Sequence, residues 1–175
     1  LELKIPIFAS AMDGVVDVRF ATAMSKLGGL AVLNLEGVQT RYKNPSEVLQ
    51  KIVETDKAEI TSLLQRIYQE PVQLDLIGAR VRQIKDNGGI AAVSSIPQRA
   101  AEFGAIAQEA GADVFVVQST VSTVRHISSE YKSLDLAKFC RDMRIPVIVG
   151  NTVGYDVTFE IMECGPAAVL VGVGP

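Results

Sequence analysis

The sequence predicts a parallel α/β fold built from six consecutive strand–helix units. Six short apolar runs are rich in β-branched or small residues and nearly continuous, a pattern typical of strands that are buried on both faces of a sheet. Amphipathic segments with the helical period lie between them. Glycine follows the helical segments in "SKLGGL", "KDNGGI", "QEAGAD" and "MECGPA", where a left-handed C-terminal cap favours this residue.

The order of the elements follows directly from these patterns. The predicted strands cover residues 7–10, 30–34, 90–94, 114–118, 147–150 and 168–171. The predicted helices cover residues 18–27, 45–54, 74–87, 98–110, 134–143 and 156–164. The charged segment 40–76 is too long for a simple crossover between strands two and three, so we expect two or three extra helical turns inserted there.

Both an open doubly wound sheet and a closed barrel are compatible with this pattern. A complete (β/α)₈ barrel typically takes about 250 residues, so six units in 175 residues correspond to three-quarters of one. The sequence starts at Leu1 and stops at Pro175, directly after an apolar run. We therefore expect residues 1–175 to be a fragment of a single domain.

Composition favours a small-molecule partner. Hydrophobic residues make up 48% of the chain and aromatic residues only 6%, which predicts one globular unit with an aliphatic core. The net charge is -3 and the Lys and Arg residues are scattered, which argues against nucleic acid. Since no apolar run approaches the ~20 residues of a membrane span and no signal-peptide pattern is present, we expect no membrane partner and a cytoplasmic protein.

The candidate site is the set of segments that follow the strands, because ligands of parallel α/β folds lie beyond the carboxyl ends of the strands. These segments are "SAMDG", "NLEGVQTRY", "SSIP", "QSTVST", "GNTVGY" and "GVGP". Asn151 in "GNTVGY" emerges directly from a strand, where its amide could bind a ligand. The spacing of "VGVG" lets the backbone approach a ligand or an ion. The alternative is that these turns are simply polar.

The other chemistry-bearing residues have plainer interpretations. His126 is the sole histidine and is expected on an exposed loop rather than as a catalytic base. Asp13 and Asp17 precede a predicted helix and are expected to cap it. Cys140 and Cys164 lie in helical segments without metal-binding spacing, so we expect them to be reduced, buried thiols.

Three stretches together resemble one family. They are "IPIFASAMDGVVDVRFATAMSKLGGLAVLN", "GADVFVVQST" and "IPVIVGNTVGYDVTFEIMECGPAAVLVGVGP". In this order they resemble the inosine monophosphate dehydrogenase / guanosine monophosphate reductase family, with "NLEGVQTRY" closest to a short bacterial branch related to the dehydrogenases. The resemblance implies a (β/α)₈ barrel, of which about the first six units are present. Segment 40–76 lies where long members carry regulatory cystathionine-β-synthase-type domains, and it is too short to hold them.

The resemblance also implies a function. The expected reaction oxidises inosine 5'-monophosphate to xanthosine 5'-monophosphate with NAD through a cysteine thioimidate. In the family that cysteine follows Val-Gly-x-Gly, which places it beyond Pro175, so no catalytic residue is assigned in this chain. A homotetramer and a monovalent cation such as K⁺ are further expectations. Guanosine monophosphate reductase, an FMN-dependent barrel similar to nitronate monooxygenase, and an inactive purine-nucleotide-binding relative are the alternatives.

The family motifs carry over to eight positions. Ser10 and Met12 match residues that contact the nucleotide. The cofactor positions are Gln118, Ser119, Thr120, Asn151, Gly172 and Gly174, and Gly174 also matches a carbonyl of the cation site. Two positions depart from the pattern, since Gln118 replaces an Asp and Leu170 replaces an Arg. Because this carboxylate and this guanidinium are absent, altered cofactor binding and a complete loss of cofactor binding are both open alternatives.

Overall fold

The computed structural model describes residues 2–119, 122–124 and 133–173. Six parallel strands form one sheet in sequence order, from β1 to β6. The strands are β1 Phe8–Ala9, β2 Leu30–Asn34, β3 Ala92–Ser95, β4 Val114–Gln118, β5 Val147–Thr152 and β6 Ala168–Val171. All six predicted strands are therefore present, although β1 is shorter than residues 7–10 and β5 continues past residue 150.

Eight helices are found in the described residues. They are α1 Val18–Leu27, α2 Val38–Arg41, α3 Pro45–Glu54, α4 Ile60–Gln69, α5 Leu74–Asp86, α6 Pro97–Glu109, α7 Leu136–Asp142 and α8 Tyr155–Glu163. Helices α1 and α3 begin and end where the sequence predicts. None of these helices is both long and apolar enough to cross a membrane.

The connection between β2 and β3 holds more helix than the sequence analysis expects. The helices predicted over residues 45–54 and 74–87 are α3 and α5, and the connection also contains α4, of ten residues, and the short α2, of four. A separate apolar cluster stabilises this part: Val38 of α2 packs with Leu63 and Ile67 of α4. The extra helices thus have a small core of their own beside the sheet.

Successive strand residues face two different apolar layers. Along β2, Leu30 and Val32 belong to one cluster, whereas Ala31 and Leu33 belong to the other, which the helices cover. The same alternation runs through β3 to β5. Burial on both faces explains why the strands read as continuous apolar runs.

The helix ends confirm the predicted caps. The four glycines expected after helices, Gly28, Gly88, Gly111 and Gly165, all have positive φ. Asp17 caps α1, since its carboxylate accepts a hydrogen bond of 2.6 Å from the amide of Phe20. Each of the four glycines ends its helix next to the sheet, so the following strand starts a few residues later.

A close approach between β5 and β6 gives the first prediction. A Cβ atom at Gly150 would lie 2.5 Å from Cβ of Leu170 and 3.0 Å from its carbonyl oxygen. We expect Gly150→Ala to lower the free energy of unfolding of the intact protein by about 1–3 kcal/mol, because the neighbouring strand must shift. Chemical denaturation measures this change. Gly154→Ala is the matched control, since no atom lies within 4 Å there; equal stability of the two variants would contradict the prediction.

Candidate functional site

A cavity lies at the carboxyl ends of the six strands. Its volume is about 470 Å³. The lining comes from the exits of all six strands, where an exit is the carboxyl end of a strand with the segment that follows it. The lining residues are Ser10, Ala11, Asn34, Glu36, Ser94, Ser95, Ile96, Gln118, Ser119, Asn151 and Val173. Parallel pairing puts the carboxyl end of every strand on one edge of the sheet, which is why segments so distant in sequence share one cavity.

Two amide side chains bridge β4, β5 and the end of β6 at this cavity. Nε2 of Gln118 donates a hydrogen bond of 3.1 Å to Oδ1 of Asn151. Nδ2 of Asn151 donates one of 2.6 Å to the carbonyl oxygen of Gly172. Both side chains are half-buried. The chain of amides fixes the orientation of each group, so that polar groups are presented to a ligand in one arrangement.

The segment after β4 is tied to β5 by backbone hydrogen bonds. The amide of Ser119 donates to the carbonyl of Gly150 over 3.0 Å, and the amide of Asn151 donates to the carbonyl of Ser119 over 3.1 Å. Ser122 adds two contacts, from its amide to the carbonyl of Asn151 and from its hydroxyl to the carbonyl of Gly150. These contacts place the hydroxyl-bearing segment beside the Asn151 amide.

Glu36 is the one ionisable side chain among the residues that line this cavity. It is half-buried, and its Oε1 accepts a hydrogen bond of 3.3 Å from the amide of Ile96. Burial raises the pKa of its carboxyl, while the Ile96 amide and the positive charges of Arg99 and Arg41 oppose the rise. A hydrogen-bond donor on a ligand would satisfy this carboxylate.

The other described residues of the lining offer hydroxyl, amide and apolar groups, and no Lys or Arg is among them. Such a lining suits a neutral heterocycle or a sugar, which offers donors and acceptors without a formal charge. It does not suit a phosphate, which selects cationic side chains or helix N-termini. The described part of the lining therefore favours an uncharged group of a ligand.

A second cavity of about 530 Å³ adjoins the first, and Glu36 and Ile96 line both. Helix α6 contributes Arg99 and Phe103, with the Arg99 guanidinium carbon 5.9 Å from the centre of the Phe103 ring. Arg41 also lines it. The two adjoining cavities are together called the cleft, and Glu36 and Ile96 lie at the boundary between them.

The predicted site residues are partly brought together. Ser10, Gln118, Ser119 and Asn151 line the first cavity, and Gly172 contacts Asn151 through its carbonyl. Met12 is 57% exposed and does not belong to the lining. Predictions for Thr120, Gly174 and His126 lie outside the described residues.

Four lining residues lie in the predicted site segments "NLEGVQTRY" and "SSIP", but the sequence analysis gave none of them an individual role. Asn34, Glu36, Ser94 and Ser95 occupy the exits of β2 and β3. Their signal was present, since each stands in or just after a predicted strand and is polar in an otherwise apolar run. Ser94 and Ser95 are buried within β3. Two hydroxyl side chains at the end of an apolar strand are the sequence feature that indicates these residues.

Comparison with known proteins was made on sequence and on structure. A family model described as the IMP dehydrogenase / GMP reductase domain matches residues 1–175. An uncharacterized oxidoreductase of Mycolicibacterium smegmatis is 33% identical, over 98% of this chain and 47% of the relative. An inosine-5'-monophosphate dehydrogenase of Cryptosporidium parvum is 30% identical, over 100% of this chain and 44% of the relative. The chain spans about half the length of the curated relatives it matches.

A crystal structure gives the same result at the level of the fold. The IMP dehydrogenase/GMP reductase-like protein of Corynebacterium glutamicum superposes with a TM-score of 0.90 at 31% sequence identity, over 98% of this chain and 46% of that chain. The six parallel strands are thus a curled, partial (β/α)₈ barrel, as the sequence predicts. From the match of the family model to the whole sequence and from this shared fold, we conclude that the chain belongs to the IMP dehydrogenase / GMP reductase family of oxidoreductases.

Proposed function

We propose that the intact protein oxidises inosine 5'-monophosphate to xanthosine 5'-monophosphate with NAD. The observation that carries the proposal is the hydrogen-bonding cavity at the strand ends of a barrel of this family. The overall reaction consumes one water and transfers a hydride from the purine carbon to the nicotinamide, releasing one proton. What this part of the protein supplies is binding and orientation of the two reactants.

The nucleotide side of the proposed site is formed by the segment after β1. The exposed hydroxyl of Ser10 lines the cavity and can bind the purine or the ribose. The thioether of Met12 is 57% exposed, which leaves it available to pack on a flat ring that enters the cleft. No residue of the lining that the structure describes is cationic, so the phosphate of the nucleotide would be held by residues outside this set.

The cofactor side of the proposed site is formed by the ends of β4 and β5. Amides and hydroxyls of Gln118, Ser119 and Asn151 fit the carboxamide of a nicotinamide, which needs both donors and acceptors. Gln118 already donates to Asn151, so its carbonyl oxygen is the group oriented toward a ligand donor. NAD, when bound, would accept the hydride. Thr120 and the monovalent-cation site at Gly174 stay predictions.

Neither cysteine of this chain suits the role of nucleophile. Cys140 lies in α7 and Cys164 is the C-cap of α8. Helices in this fold run opposite to the strands, so Cys164 lies at the end of the barrel away from the cavity. Burial raises the pKa of Cys140 to about 11, and burial with Asp135 nearby also raises that of Cys164. Both are free and half-buried. The proposal therefore assigns the thioimidate to a cysteine outside residues 1–175.

The remaining parts of the proposal concern the whole protein. We propose a homotetramer, as the family resemblance implies, and the cytoplasmic location that the sequence pattern predicts. An inactive nucleotide-binding relative is the second candidate, and the specific feature in its favour is that Gln118 and Leu170 stand where the family pattern has Asp and Arg.

The activity of the intact protein is the first test. With inosine 5'-monophosphate and NAD together, we expect NADH absorbance to appear, and with either reactant alone we expect none. Consumption of NADPH with guanosine 5'-monophosphate would instead identify a reductase. A yellow preparation that carries flavin would favour the nitronate monooxygenase type, and a rise in Tm with the nucleotide alone but no turnover would identify the inactive relative.

A substitution at Gln118 tests the cofactor side. We expect Gln118→Ala to raise KM for NAD about tenfold, because an oriented amide is lost from the cavity, and to change KM for the nucleotide much less. Steady-state kinetics on the intact protein separate the two constants. Gln50→Ala is the matched control, since Gln50 is exposed on α3. An equal rise in both KM values would argue against a cofactor-side position.

The thiol of Cys140 gives a prediction about pH. Because burial raises its pKa to about 11, the thiolate is scarce near neutral pH, and alkylation by iodoacetamide should rise roughly tenfold per pH unit up to that value. Mass spectrometry of peptides from the native protein measures the rate. The same peptide in denatured protein is the control. Rapid, pH-independent alkylation of native Cys140 near neutral pH is the contrary result.

A further inference from the structure

Asp13 makes an unusual set of contacts for a residue in a surface loop. It lies in the β1 loop, defined here as residues 10–16, directly after the predicted nucleotide-binding residues. Its Oδ1 accepts a hydrogen bond of 3.1 Å from Nδ2 of Asn34, at the end of β2. Its Oδ2 accepts one of 2.9 Å from the amide of Val38, the first residue of α2. The expected cap of α1 is made by Asp17 instead, and Asp13 binds elements 21 and 25 residues away.

A third donor to Asp13 comes from the extra helices. The hydroxyl of Tyr68, in α4, donates a hydrogen bond of 2.6 Å to Oδ2 of Asp13. The guanidinium carbon of Arg41 lies 5.6 Å from the centre of the Tyr68 ring. Nε of Arg41 donates to the carbonyl of Glu36 over 2.9 Å, and a second nitrogen donates to the carbonyl of Glu70. The Tyr68 ring is thereby fixed against the exit of β2 as well as against Asp13.

The backbone around Asp13 is shaped for this arrangement. A Cβ atom at Gly37 would lie 1.7 Å from Oδ1 of Asp13, so the carboxylate occupies the space that any other residue would need. Within the β1 loop, the amides of Val15 and Val16 donate to the carbonyl of Met12 over 3.0 and 2.9 Å. The amide of Met12 donates to the carbonyl of Ser10 over 2.8 Å. The loop is compact: Val16 packs in the main apolar cluster, and Asp13 adds hydrogen bonds from the loop to the neighbouring elements.

We infer that Asp13 and Tyr68 are positioning residues, which hold the β1 loop so that Ser10 lines the cleft. The extra helices between β2 and β3 then have a role at the site, because α4 supplies the donor. The role in substrate binding rests on the proposed function, whereas the attachment of the loop does not.

Protonation of Tyr68 agrees with this role. Burial raises the pKa of its hydroxyl, and the hydrogen bond and the charge of Asp13 raise it further. A raised pKa in the folded protein means that the hydroxyl stays a donor at neutral pH. The stabilisation from this contact is therefore complete below the ordinary tyrosine pKa of about 10, and it is lost as the pH rises from there through the higher pKa of the folded protein.

Hydrogen exchange of the intact protein tests the attachment directly. In Tyr68→Phe the ring stays and the hydroxyl is lost, so we expect exchange of the peptide that covers residues 11–16 to become about fivefold faster. Peptides from β4 and β5 should not change. Tyr155→Phe is the matched control, because Tyr155 is 83% exposed on α8. Gly37→Ala should accelerate the same peptide, since its Cβ displaces the carboxylate.

The outcomes separate this inference from the proposed function. Unchanged exchange of residues 11–16 in both Tyr68→Phe and Gly37→Ala would overturn it, whether or not the protein is active. If exchange rises and the wild type turns over inosine 5'-monophosphate, Tyr68→Phe should raise KM for the nucleotide about fivefold and leave kcat within about twofold. An unchanged KM would overturn the role in positioning the substrate-binding residues. If the wild type neither binds nor converts the nucleotide, the proposed function fails and the exchange result still decides the attachment.

Discussion

Parallel pairing of the six strands is the constraint on which the rest of the structure depends. It is stabilised on both faces: Leu30 and Val32 of β2 face one apolar cluster, and Ala31 and Leu33 face the other. Because apolar side chains cover both faces of the sheet, polar side chains are accommodated at the strand ends, where they are not surrounded by apolar groups. Every exit therefore opens at the same edge of the sheet, and one cavity collects side chains from all six.

Hydrogen bonds between the exits of different strands fix the shape of the cavity. Gln118 and Asn151 are 33 residues apart, and the amide bridge from one to the other continues to the carbonyl of Gly172. Asp13 links the exits of β1 and β2 in the same manner, through Asn34. Hydrogen bonds between neighbouring exits give a site a defined shape before any ligand arrives, which reduces the entropy lost on binding.

Much of the fold could be predicted from the sequence because its signals are local. The bounds of α1, the cap at Asp17 and the positive φ of Gly28 depend on residues within one helical turn. The contacts of Asp13 were not predicted because they join residues 21 or more positions apart. The sequence around an aspartate does not show whether its carboxylate caps the next helix or a helix later in the chain. The helical content of segment 40–76 was underestimated for a related reason: its helices are amphipathic against a small cluster of their own rather than against the sheet.

The central claim is that the six strand ends form one site for a purine nucleotide. A crystal structure of the intact protein with inosine 5'-monophosphate tests it most directly. We expect the purine in the cavity of about 470 Å³, within hydrogen-bonding or packing distance of Ser10 and on the side of the cleft opposite Asn151. A nucleotide bound on another face of the barrel, with this cavity left to solvent, would contradict the account.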